Sequence, residues 1–126
     1  MVKFVIYASP PGINQVYNSH SYHRITEVKN FWHGLTAIYS GKIKAKGPVS
    51  TILCAICKKP RDADNLALCH KFICDQLVQA GQIPGDSPKH LLSVRLISRK
   101  ILKHEKDQKD RIVFCIQDHG GTHERV

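Results

Sequence analysis

The chain of 126 residues is short of several things, and each shortage excludes something. It has no apolar run of about 18 residues, so no transmembrane helix is expected. Met1 to Tyr7 is too polar for the core of a signal peptide, so an intracellular, cytoplasmic protein is expected. Acidic residues are scarce: 10 Asp and Glu stand against 19 Lys and Arg, a formal charge of +9. Such an excess on a single domain favours a polyanionic partner, nucleic acid first. Apolar residues reach 42%, enough for a packed core, which excludes wholesale disorder. Internal repeats and low-complexity segments are absent.

The five cysteines form no paired set. An odd count without a signal peptide argues against a disulfide framework. Cys54 and Cys57 have the spacing of a zinc or redox pair, but no second pair follows. They also fall in an apolar run that reads as a strand, where residues three apart face opposite sides. Buried thiols are the expectation.

What is present reads as a β-α-β-α-β-β order, an α+β domain with a mixed sheet and helices packed on it. Val2–Tyr7 is a β-branched and aromatic strand stopped by Pro10-Pro11-Gly12. Residues 14–24 read as a loop displaying Asn14, Tyr17, Tyr22, His23 and Arg24. Apolar positions three and four apart predict a helix over Ile25–Tyr39, with Trp32 in its core and Ser40-Gly41 as its stop. A basic linker with Lys42, Lys44 and Lys46 leads into a strand over Pro48–Cys57. A helix over Asn65–Ala80 ends near Gly81, and strands over Leu91–Leu102 and Arg111–Gln117 complete the domain. Residues 118–126 read as a flexible tail.

With so few carboxylates, their placement carries information. Asp62 and Asp64 stand where the second strand hands over to the second helix, and Asp86 lies in the loop after it. Alternate residues of an extended segment point the same way, so Asp62 and Asp64 would converge. Asp86 would complete a hard oxygen cluster of the kind Mg²⁺ prefers. The plainer alternative is helix capping. On a helical wheel started at Asp64, Leu66, Cys69, Ile73, Leu77 and Ala80 form the core stripe. Lys71 and Asp75 fall within about 20° of Asp64 on the opposite side. They form either a surface ion pair or, for Lys71, a cation beside a metal-bound phosphate. Leu68 and Phe72 flank that face and await a partner in the chain or a second subunit.

Four pieces of sequence, in order, resemble the RusA-type Holliday-junction resolvases. They are Pro10-Pro11-Gly12-Ile13-Asn14, Asp62-Ala63-Asp64-Asn65-Leu66, the run from Lys71 through Asp75 to Ala80-Gly81, and Gly85-Asp86-Ser87. The resemblance spans residues 2–117, so an endonuclease domain over 1–117 is expected. It implies a Mg²⁺-dependent homodimer that cuts four-way DNA junctions in recombination and repair, of a type that often travels with prophages. Asp62, Asp64 and Asp86 would be the catalytic carboxylates and metal ligands, and Lys71 the catalytic lysine. Two departures stand out. The family's doubled Asp in the loop is Gly85-Asp86 here, and the step from Asp64 to Lys71 is seven residues instead of four.

In the expected mechanism a phosphodiester is hydrolysed. Asn14, Tyr17, His23, Arg24, Lys42, Lys44 and Lys46 would contact DNA, with Arg95, Arg99, Lys100 and Lys103 as further backbone contacts. The rival readings are a nuclease for other branched DNA, a non-catalytic nucleic-acid-binding module, and a zinc-dependent protein built on Cys54 and Cys57.

Overall fold

The computed structural model describes residues 1–12, 22–105 and 108–120, with the backbone alone for 22–24. Strand β1 (Val2–Ile6) leads into helix α1 (Tyr22–Tyr39), strand β2 (Val49–Cys57) and a 3-10 turn (Ala63–Leu66). Helix α2 (Ala67–Gln79), strand β3 (Leu91–Lys100), a short 3-10 turn (Lys103–Glu105) and strand β4 (Arg111–Asp118) follow. The class is α+β in the expected order, with one mixed sheet arranged β1-β4-β2-β3. β4 runs antiparallel to both neighbours, while β2 and β3 are parallel, joined through α2.

Period-two patterning gives the sheet one dry face. Val49, Thr51, Leu53, Ala55 and Cys57 of β2 point inward with Ile112, Phe114 and Ile116 of β4 and Phe4 and Ile6 of β1. Phe4 stacks on its cross-strand partner Phe114 at 5.3 Å between ring centres. Both helices lie on this face. Trp32, at 2% exposure, is core as expected, and Phe72 is buried in the same cluster. So the flank of α2 left open by its wheel is filled from within the chain, while Ala80 of the expected stripe is exposed. Each such aliphatic or aromatic burial is worth about 1.5–3 kcal/mol.

The other face carries Val5, Ile52, Cys54, Ile97, Val113 and Cys115, all half-buried. Cys54 and Cys57 therefore lie on opposite faces, and all five cysteines are free.

The helix stops follow from backbone freedom. Gly81, at φ +72, lets α2 close with Gly81 N–H donating to Val78 O (3.0 Å) and Gln82 N–H to Leu77 O (2.8 Å). That closure places Gln82 under the basic linker. Its amide donates to Ile43 O (3.0 Å), and its own carbonyl accepts from Ala45 N (2.8 Å). Ile43 and Ala45 turn onto the core, which leaves Lys42, Lys44 and Lys46 exposed.

Several boundaries differ from expectation: β1 ends at Ile6, β2 begins at Val49, α2 spans Ala67–Gln79 and β3 ends at Lys100. α1 begins at Tyr22, three residues early, and β4 runs through Asp118. Asp118 belongs to no frayed tail: its carboxylate accepts from the backbone of Lys46 (2.8 Å) and Gly120 (2.9 Å), so it ties the strand to the linker. Residues 121–126 and the side chains of Asn14, Tyr17, Tyr22, His23 and Arg24 lie outside the described residues. Among the described residues no helix is long and apolar enough to cross a membrane.

Candidate active site

The segment after β2 is held at three points. Ser98 Oγ donates to Arg61 O, Arg61 Nε donates to Pro10 O (3.3 Å), and Leu66 is fully buried. A Cβ on Gly12 would meet the Arg61 guanidinium at 3.1 Å, so the Pro10-Pro11-Gly12 stop packs directly beside the Asp62 string. The Pro10-Pro11-Gly12 stop thus contacts Arg61, the residue before the Asp62 string.

Asp62 and Asp64 are exposed, and neither caps a helix through its side chain. Asn65 N–H instead donates to the backbone oxygen of Asp62 (3.0 Å). The expectation of an extended pair needs correcting here. The 3-10 turn starts at Ala63 and rotates about 120° per residue, so the alternate-residue rule does not govern Asp62 and Asp64.

Lys71 and Asp86 stand elsewhere. The wheel compares directions and ignores height, and Lys71 sits roughly 10 Å along the helix axis from Asp64. Its ammonium lies 3.7 Å from Asp75, with Lys71 64% exposed. Such a pair contributes a few tenths of a kcal/mol. Asp86 joins these two around a hollow of about 170 Å³, lined also by His70, Cys74, Leu91 and Val94. Asp62 and Asp64 do not line it. Among the described residues no group of three or more His, Cys, Asp or Glu could hold a metal. The expected three-carboxylate cluster of Asp62, Asp64 and Asp86 is therefore not assembled, because Asp86 follows the far end of α2 while the pair precedes its near end.

Gly85 is closely approached. A Cβ on Gly85 would come within 2.6 Å of the His90 ring, so any side chain there must displace it.

The floor of the hollow is structural. His70 Nε2 and Thr51 Oγ1 share a 2.7 Å hydrogen bond, Cys74 Sγ lies 3.5 Å from the same nitrogen, and the ring lies against Phe114. Burial holds His70 down to about 4. Burial, with Asp75 and Asp86 adding to it, pushes the Cys74 thiol up to about 12, which makes it inert at neutral pH.

The remaining carboxylates are distinguished by their employment. Glu105 pairs with Arg99 (3.1 Å) and Arg111 (3.3 Å), and these contacts hold it down to about 2. Arg99 is thereby committed and is not a free phosphate contact. Asp110 accepts from Ser9 Oγ (2.6 Å) and Lys58 N (2.9 Å), and Asp118 ties the linker. The carboxylates of Asp62, Asp64 and Asp86 make no hydrogen bond or ion pair to the described residues, a condition shared only with Glu27 among the described acids. Gln82, Glu105 and Asp118 were not singled out by sequence; only the position of Gln82 just after Gly81 hinted at its task.

No family model matches this chain, and no curated protein matches it.

Proposed function

We propose that this chain is a Mg²⁺-dependent endonuclease that resolves four-way DNA junctions by phosphodiester hydrolysis, acting as a cytoplasmic homodimer in recombination and repair. One observation carries the reading. In a protein of charge +9, the three acids marked out by the sequence pattern have no structural work, while Glu105, Asp110 and Asp118 all do. Unpaired exposed carboxylates on a surface meant for DNA are costly unless a cation joins them.

Mg²⁺ is commonly held by one or two carboxylates and completed by water and substrate phosphate. Asp62 and Asp64 suit that role without Asp86. Bound there, the ion would supply charge to the scissile phosphate and an acidified water. The chain's own part is to bring the backbone alongside. Lys42, Lys44 and Lys46, fixed by Gln82 and Asp118, are mounted to hold phosphates. Lys71 leaves Asp75 at little cost and, roughly 10 Å along the helix from Asp64, would offer positive charge to a neighbouring phosphate. A two-fold dimer would offer one such surface to each of two strands of a junction.

The test is a synthetic four-way junction incubated with Mg²⁺ or with Ca²⁺, using the wild type and Asp64→Asn. Paired cuts are expected with Mg²⁺ and wild type alone, with the variant still binding the junction. A junction left intact under every metal condition overturns the proposal. The separation of Asp86 from the Asp62–Asp64 pair favours a second reading, a non-catalytic DNA-binding module. Tight binding with no cutting in Mg²⁺ or Mn²⁺ is its signature.

A further inference from the structure

β2 and β3 finish side by side, and just beyond them lies a hollow of about 220 Å³ lined by Lys58, Lys100, Ile101, Leu102 and Lys103. Its frame is fixed. Ile101 is buried, and its N–H donates to Cys57 O (3.0 Å), which continues the β2–β3 pairing past the strand ends. The backbone of Lys58 is held by Asp110 (2.9 Å). Lys103 opens the 3-10 turn closed by Glu105 N–H donating to Leu102 O (2.8 Å) and by Glu105 Oε1 accepting from Leu102 N (3.2 Å).

Three lysines thus line one small space, and none forms an ion pair with a described residue. Among the described residues the nearby acids are engaged: Glu105 by two arginines, and Asp110 by Ser9 and the Lys58 N–H, with the Lys58 charge also acting on it. Like charges gathered this way repel, and an anion seated among them relieves the repulsion. Partly apolar walls raise the strength of that attraction over its value in open water.

The hollow also neighbours the candidate active site. Ser98 holds the backbone of Arg61, next to Asp62, and Lys100 lies two residues further along the same face of β3. Two residues along a strand span about 6.6 Å.

We propose that Lys58, Lys100 and Lys103 form a phosphate-binding site for the DNA backbone, seating a phosphodiester a nucleotide or two from the one held at Asp62 and Asp64. The position of that phosphodiester rests on the nuclease reading; the anion site itself does not.

Binding of labelled four-way junction and linear duplex is followed by fluorescence anisotropy in Ca²⁺ buffer, from low to moderate salt. Three proteins are compared: wild type, Lys58→Ala/Lys103→Ala, and Lys3→Ala/Lys29→Ala, which removes the same charge from other exposed positions. The hollow variant is expected to bind both DNAs about tenfold more weakly. Its salt slope should fall by about 0.9, as the loss of one duplex phosphate contact requires. The other variant should lose less than about threefold, and Lys58→Arg/Lys103→Arg should restore binding. Equal losses from the two alanine variants overturn the site. Loss of binding in a protein that cuts nothing leaves the site standing and removes the nuclease reading. Unchanged binding in a variant that still cuts does the reverse. Circular dichroism of each variant confirms that the fold is retained.

Discussion

The two ends of α2 treat their ionisable groups in opposite ways. Near its middle and far end, His70, Lys71, Cys74, Asp75 and Asp86 crowd around one hollow. Yet His70 is sealed against Thr51, Cys74 is buried, and Lys71 and Asp75 answer each other. At the near end, Asp62 and Asp64 are exposed and their carboxylates are bonded to nothing described. Crowding of titratable side chains is therefore a poor guide to chemistry here. Availability leaves Asp86 alone of that group, and at the other end it leaves both Asp62 and Asp64, where backbone contacts fix the chain.

The largest expected effect breaks this comparison at the near end. Asp64→Asn should lower junction cutting by about 100-fold or more, some 3 kcal/mol of barrier, while leaving the melting temperature unchanged. Asp86→Asn should cost clearly less, since Asp86 stands with the other group. Equal losses in a side-by-side cleavage assay would join the two ends into one working site.

At the hollow the expected effects are on folding. His70→Ala removes a buried ring and leaves Thr51 unpaired, at about 2–4 kcal/mol in a denaturant titration. The same histidine predicts an acid limb. Its folded value of about 4 lies below the ordinary 6.5, so the unfolded chain binds the extra proton between them. Stability is full above about pH 6.5 and falls as pH drops towards 4, by up to about 3 kcal/mol. Glu105, depressed to about 2, adds a separate loss only below about pH 4.5. A His70→Gln protein should lose the upper limb and keep the lower one in pH-dependent melts.

Gly85→Ala should cost about 1–2 kcal/mol, because its methyl meets the His90 ring. Smallest of all, Lys71→Ala should change stability by less than about 0.5 kcal/mol. Any large loss of cutting in that variant would then report function alone.

Much of the fold was legible because its signals are local. The alternation of Val49, Thr51, Leu53 and Ala55, the helical spacing around Trp32, and the glycine stops at Gly41 and Gly81 each act within a few residues. The order of strands is not local: no pattern in Arg111–Asp118 says that it enters between β1 and β2. The candidate site was legible as a set of residues and illegible as an arrangement. A wheel carries angle without height, so it aligned Lys71 with Asp64 across two turns of helix. Extended geometry was assumed at Asp62-Ala63-Asp64, where a 3-10 turn begins. The clash at Gly85 depends on His90, which reaches it only through the folded loop.

The place of β4 has a consequence for how the protein is made. Among the described residues β1 bonds to no strand but β4, with Ile6 opposite Ile112, so β1 waits for a strand made some hundred residues later. Until then the nascent chain can pair only β2 with β3, and both β1 and the inner edge of β2 stay open. Closure is a long-range event, slow by its loop entropy and exposed to misassociation while it is pending. The sheet is therefore expected to close only once β4 has been made. Deletions that reach β4 should prevent the sheet from forming at all, because they remove its interior rather than trim its margin.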